Sequence, residues 1–229
     1  VAGEAVREEA ARMVRELPHR AVTVESEHEL VRRSFDDDVL RCLAGLKHQI
    51  QESQSETSTY LKWALLATLR DVARVKVGWP YMRPNQPRIP LHTDAAKRFL
   101  TRAEWIAEDL DGDESTPEAF IATGDSGDPT TWNNLPRQEL AGCLSSPPYL
   151  NNFDYADATR LEMYFWGRNS SWREMVDDIR HDMLIASTQQ SSVARAQDSL
   201  DALSNLPKTR SSVVRVMEDL RVERCKRTR

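Results

Sequence analysis

Cysteine is scarce in this sequence. Cys42, Cys143 and Cys225 lie far apart, which excludes a disulfide framework. The five histidines, His19, His28, His48, His92 and His181, never fall at metal-ligand spacing with them, so no zinc site is expected. No apolar run approaches the roughly 18 to 20 residues that a membrane span needs. Val1 to Arg20 alternates charge with alanine where a secretory leader carries an apolar core. These absences point to a soluble chain of the cytoplasm with no membrane partner. Excess positive charge is lacking too: 31 Lys and Arg against 36 Asp and Glu give a net −5, unlike a protein covered in nucleic-acid-binding surface. A local exception follows Leu206, where Lys208, Arg210, Arg215, Arg221, Arg224, Lys226, Arg227 and Arg229 stand against Glu218, Asp219 and Glu223. That stretch is either a basic face for phosphates or a solvated helix end.

What is present divides at about residue 117. The 229 residues suffice for one core with a helical appendage, not for two full enzymatic domains. Residues 1–117 read as a helical region. Ala2 to Leu17 is rich in Ala, Glu and Arg and stops at Pro18, which has no amide proton to continue a helix. Ser26 with Glu29 has capping-box spacing, and a helix is predicted from about Asp37 into Gln51-Glu52-Ser53. From Thr57 to Lys76, Leu61, Leu65, Leu69, Val72 and Val75 share one face, as core residues do. The Pro-rich connector from Gly78 to Pro90 excludes regular helix; its Trp79, Tyr81, Arg83 and Arg88 are expected to pack, with stacking on bases or gripping phosphate as the other option. Thr93 is placed to cap a further helix whose Ala96, Phe99, Leu100, Ala103, Ile106 and Leu110 form a stripe.

Residues 118–229 change character. Ala119 to Thr123 and Leu140 to Leu144 are short apolar runs that open onto loops, with a helical turn predicted between them at Thr130 to Leu135. Two strands joined in this way suggest part of a parallel sheet, with ligand sites at the strands' carboxyl ends. Helices are predicted over Tyr155 to Trp166, Ser171 to Leu184, Ser192 to Leu206 and Thr209 to Arg224. The second predicted strand runs straight into Ser145-Ser146-Pro147-Pro148-Tyr149. Methyl transfer to an exocyclic amine needs the nitrogen lone pair withdrawn from the ring. A stiff loop that offers a serine hydroxyl and a backbone carbonyl to the two amino hydrogens achieves this. Paired prolines fix such a loop. An aromatic ring replaces the stacking that a flipped base gives up, on the order of 1 to 3 kcal/mol.

At Ser146-Pro147-Pro148-Tyr149 the sequence resembles the DNA amino-methyltransferase family, whose motif is Asp, Asn or Ser before Pro-Pro and an aromatic residue. The serine form resembles the cytosine-N4 members more than the adenine-N6 members. The resemblance extends from Phe120 to Gly167 and takes in Leu150 to Ala156 and Arg160-Leu161-Glu162, with a weaker echo at Gly78-Trp79-Pro80-Tyr81. It implies an α/β fold, a partial Rossmann-like sheet with large helical segments before and after it. It further implies S-adenosylmethionine as methyl donor and DNA as partner. Carried over, Ser146 and the Pro147 carbonyl bind the amino group, Pro148 shapes the loop, Tyr149 stacks on the base, and Gly124-Asp125 contacts the cofactor adenine.

The family's Gly-rich turn after the first strand has no counterpart, since the eight glycines are scattered. No acidic residue ends a second strand to take ribose hydroxyls. The expectation is therefore a fragment or split subunit whose partner is the cofactor-binding half. The alternative is a non-catalytic, degenerate methyltransferase domain that binds DNA or a partner protein. Cytosine-C5 chemistry is disfavoured, because its nucleophilic cysteine directly follows a proline and Cys143 does not.

Overall fold

A computed structural model describes residues 1–17, 22–77, 82–112, 124, 128–133, 144, 154–180 and 200–227. Contacts divide the chain into two compact units, one comprising Val1–Pro147 and Asp154–Ile179, the other Pro148–Phe153 and Arg180–Arg229.

The first unit is built on amphipathic helices. Helix α1 (Gly3–Glu16) buries Val6, Ala10 and Met13, spaced three and four apart, against α5 (Ala95–Asp111), which buries Ala95, Phe99, Ala103 and Ala107. Alanine at three of these four positions lets the two backbones approach. At the N-terminus of α1, the Gly3 amide donates to Asp111 Oδ1 at 2.9 Å. After the short α2 (Glu29–Ser34) come α3 (Asp37–Glu52) and α4 (Ser58–Val72). Leu40, Leu43, Leu46 and Ile50 of α3 meet Leu61, Leu65 and Leu69 of α4 in the same core. Gln49 Nε2 donates to the Met13 carbonyl at 2.9 Å and ties α3 to α1.

The predicted face on α4 agrees with the burial found, with Leu61, Leu65, Leu69 and Val72 all buried. Helix α4 ends at Val72, four residues before the predicted end, and Val75 is buried on a strand instead. The caps also differ. His28, not Ser26, caps α2, its Nδ1 accepting from the Leu30 amide at 3.0 Å. Asp94, not Thr93, caps α5, Oδ1 accepting from the Lys97 amide at 2.9 Å. Both true caps sit one position before the helix, from where a side chain reaches the second or third amide.

The expected α/β fold is not found. Of the described residues, 70% are helical and 4% lie in strands. Among them the one sheet pairs β1 (Val75–Lys76) antiparallel with β2 (Arg83–Pro87), Val75 opposite Pro87 and Lys76 opposite Arg83. A ribbon carrying two prolines has lost ladder donors and is suited to a sheet edge, not to the centre of a doubly wound sheet. Both predicted parallel strands lie outside the described residues except Leu144, which is fully exposed and so not the end of a buried strand. Short apolar runs carry no period to separate strand from other buried chain, so they are weak ground for a fold class. The predicted helical turn is present as α6 (Pro129–Asn133).

Downstream, the helix predicted from Tyr155 to Trp166 is two, α7 (Tyr155–Ala158) and α8 (Arg160–Trp166), divided at Thr159. Helix α9 (Trp172–Met175) continues into a π turn over Val176–Arg180. Met175 is fully buried. In the second unit, α10 (Pro207–Arg227) starts with proline at its first helical position, where no amide proton is needed. Leu206, Val216, Leu220 and Val222 in this unit are all more than half exposed. Among the described residues no helix is long and apolar enough to cross a membrane.

One buried charge cluster joins α4 to α5. Asp71 accepts from Arg98 Nε at 2.7 Å and from Arg102 Nε at 2.9 Å, and both guanidiniums lie 4.9 Å from the centre of the Trp105 ring. Burial alone pushes the Asp71 carboxyl up. The hydrogen bonds and charges of the two arginines outweigh it and hold the group below its usual range. A carboxylate with a depressed folded value contributes stability above its unfolded value of about 3.9, and loses it as pH falls through the folded value. Asp71→Asn is therefore expected to be less stable than the parent at pH 7, by about 3 to 5 kcal/mol if the arginines are left uncompensated. Urea unfolding across a pH series should show the difference narrowing below pH ~3.9. A difference independent of pH would remove Asp71 as its source.

Candidate functional site

The Ser-Pro-Pro-Tyr residues Ser146, Pro147, Pro148 and Tyr149 lie outside the described residues, as do Asp125 and Cys143. The segment that follows them is described, and it is fastened to the helical unit at both ends. At its start, Asp154 is buried and caps α7, Oδ1 accepting from the Asp157 amide at 3.2 Å. Asp157 in turn accepts from the Met82 amide at 3.1 Å, and its Oδ1 stands 3.4 Å from Arg160 Nε. Arg70 on α4 bridges both short helices, since it pairs with Glu162 and donates through a terminal nitrogen to the Ala158 carbonyl at 3.1 Å. The break at Thr159 leaves carbonyls unsatisfied by regular helix, and Arg70 takes one of them.

The other end is held by α3. Lys47 is largely buried, pairs with Glu27, donates to the Phe165 carbonyl at 2.9 Å and stands 4.8 Å from the centre of the Phe165 ring. Phe165 lies in the last turn of α8, where carbonyl oxygens concentrate the negative end of the helix dipole. Gly167 closes the helix at φ 72°, a conformation that a side chain would strain, and the Arg168 amide reaches back to the Met163 carbonyl at 2.9 Å. Leu161, Tyr164 and Phe165 are buried, and the His28 ring packs 4.1 Å from Tyr164, centre to centre. Burial pushes the Tyr164 phenol up, so it stays protonated.

Gly124 can be compared with the cofactor role implied for it. The Thr131 side chain lies where a Cβ on Gly124 would project, its Oγ1 at 2.8 Å from that position. The space against this glycine is thus filled by a residue of α6. Among the described residues no three His, Cys, Asp or Glu side chains are grouped to hold a metal ion. Burial first, then the charge of Asp94, pushes the Cys42 thiol up to about 11, which disfavours the thiolate.

Arg88, one of the connector residues considered for phosphate, spends its guanidinium on the Ala73 and Arg70 carbonyls and so packs, as expected. Sequence reasoning missed Lys47, Arg70 and Glu162, whose partners are 118, 92 and 92 residues away. It also missed an exposed aromatic group on α4, Trp63, which stands with Lys62 beside Trp166 of α8. A signal existed there: Trp63 is two positions from both Leu61 and Leu65, hence on the opposite face from the core stripe.

Lys47→Ala is expected to destabilise the chain by about 3 to 5 kcal/mol, because Glu27 and the end of α8 lose a buried partner. Exposed Lys97→Ala is expected to stay within about 0.5 kcal/mol. Equal midpoints of the two variants in urea would show that α8 is not held by Lys47. Compared with known proteins, no family model, no curated protein and no solved structure matches this chain.

Proposed function

We propose that this chain serves the transfer of a methyl group from S-adenosylmethionine to the exocyclic amino group of a flipped DNA base, cytosine N4 in preference to adenine N6. The observation that carries the proposal is Ser145-Ser146-Pro147-Pro148-Tyr149 followed within a few residues by a segment pinned through Asp157, Glu162 and Phe165 to three separate partners, Met82, Arg70 and Lys47. A pocket for an amino group needs acceptors held to within a fraction of an ångström. In the proposed site the Ser146 hydroxyl and the Pro147 carbonyl accept the two amino hydrogens, which concentrates the lone pair on nitrogen. Pro148 removes backbone freedom and Tyr149 stacks on the base.

A second proposal, a non-catalytic domain that binds DNA or a partner protein, is favoured by one specific observation: Thr131 fills the space at Gly124. The two differ in what the encoded protein leaves on DNA. In cells that express it, N4-methylcytosine is expected in genomic DNA. Pro147→Ala and Tyr149→Ala should each reduce it at least about 100-fold, the scale of removing a group that stabilises developing charge. Near-normal methylation by either variant would refute the pocket, and absence of the modified base with the parent protein would favour the binding module. The 229 residues alone are expected to bind S-adenosylmethionine poorly; tight binding by calorimetry would contradict the assignment of the donor site to a separate half.

A further inference from the structure

On α4, Lys62 stands 5.9 Å from the centre of the Trp63 ring and 4.9 Å from that of Trp166 on α8. Trp63 is 60% exposed. Among the described residues Lys62 has no carboxylate partner, and its helix neighbours three and four positions away are Ser58, Thr59, Leu65 and Leu66, none of them acidic. The nearby acid on α8, Glu162, is committed to Arg70. A large indole that the fold leaves in water, beside an ammonium that the fold leaves unneutralised, has two unmet needs: ring surface to cover and an anion to meet.

We propose that Trp63, Lys62 and Trp166 form a contact site for a DNA strand with unpaired bases, a base stacking on the exposed Trp63 indole and its phosphate meeting the Lys62 ammonium. The combination distinguishes a nucleic acid strand from its competitors. A protein's acidic side chain would satisfy the ammonium without covering the indole, and an apolar side chain would do the reverse. A single nucleotide unit carries a flat π face and an anionic phosphate a few ångströms apart, and base–indole stacking does not depend on sequence. The duplex form hides its base faces, so the site favours strands that are already open, as next to an extruded base. The choice of DNA over RNA rests on the methyltransferase proposal; the site itself does not.

The test is fluorescence anisotropy of a labelled oligothymidylate titrated with the full 229-residue chain at low salt, without methyl donor. Binding is expected, with Trp63→Ala weakening it about 5- to 150-fold, the range that loss of one stacked base gives. Lys62→Gln should weaken it and flatten its salt dependence. Trp105→Ala, at an exposed indole on another helix, should leave it unchanged. Trp63→Phe should fall between the parent and Trp63→Ala, which separates stacking from any loss of folding. The proposal is overturned if oligothymidylate does not bind, if Trp63→Ala binds like the parent, or if inorganic polyphosphate competes for the site as well as the strand does. Because no methylation is scored, strand binding without methylation in cells leaves this site standing and removes only the amino-group pocket. Methylation in cells with no strand binding here does the opposite.

Discussion

The ammonium of Lys47 is the contact that holds the end of α8 to the helical core. It satisfies the Phe165 carbonyl at the end of α8, neutralises Glu27 and lies over the Phe165 ring, so one side chain from α3 fixes the far end of the segment that follows the Ser-Pro-Pro-Tyr residues. A cation at a helix C-terminus gains from the dipole as well as from the hydrogen bond, and burial strengthens both. Arg70 does the corresponding work at the Thr159 break, from α4. The two helices that supply these cations are themselves fixed by leucine packing, so the precision of the segment is inherited from an apolar core whose cations stand 92 and 118 residues earlier in the chain than their partners.

That dependence explains which parts were legible in the sequence. Helices with a strong apolar stripe, such as α4 with Leu61, Leu65 and Leu69, announce themselves because burial repeats at the helix period. The stripe on α5 was read one position off for two of its six members: Phe99 and Ala103 are buried as expected, whereas Ala95 and Ala107 take the places given to Ala96 and Ile106. Alanine carries too little hydrophobic signal to show which of two adjacent rows faces inward. Caps were displaced by one or two residues for a similar reason, since Ser26 and Thr93 are as good in isolation as His28 and Asp94.

The sheet is where sequence reading failed. Two short apolar runs and a Pro-Pro loop looked like the strand ends of a parallel sheet, yet the strands found are an antiparallel ribbon at Val75–Lys76 and Arg83–Pro87, and Leu144 is in water. The chemistry inferred for Ser146 to Tyr149 came from what an amino group needs and from a family resemblance that included the preceding strand, so the proposed pocket keeps the first support and loses the second with the fold class. Its donor side does lose support, because Thr131 occupies the space at Gly124. The long-range pairings of Lys47 on α3 and Arg70 on α4 became visible only when the fold brought those helices against α8.

The most direct measurement on the proposed pocket is photochemical. DNA that carries 5-iodocytosine, irradiated with the encoded protein and digested for mass spectrometry, should yield a crosslinked peptide whose modified residue is Tyr149, because a stacked iodopyrimidine couples to the ring it touches. Crosslinks confined to the basic helix Pro207–Arg227, with none at Tyr149, would contradict a target base held by the Ser-Pro-Pro-Tyr loop.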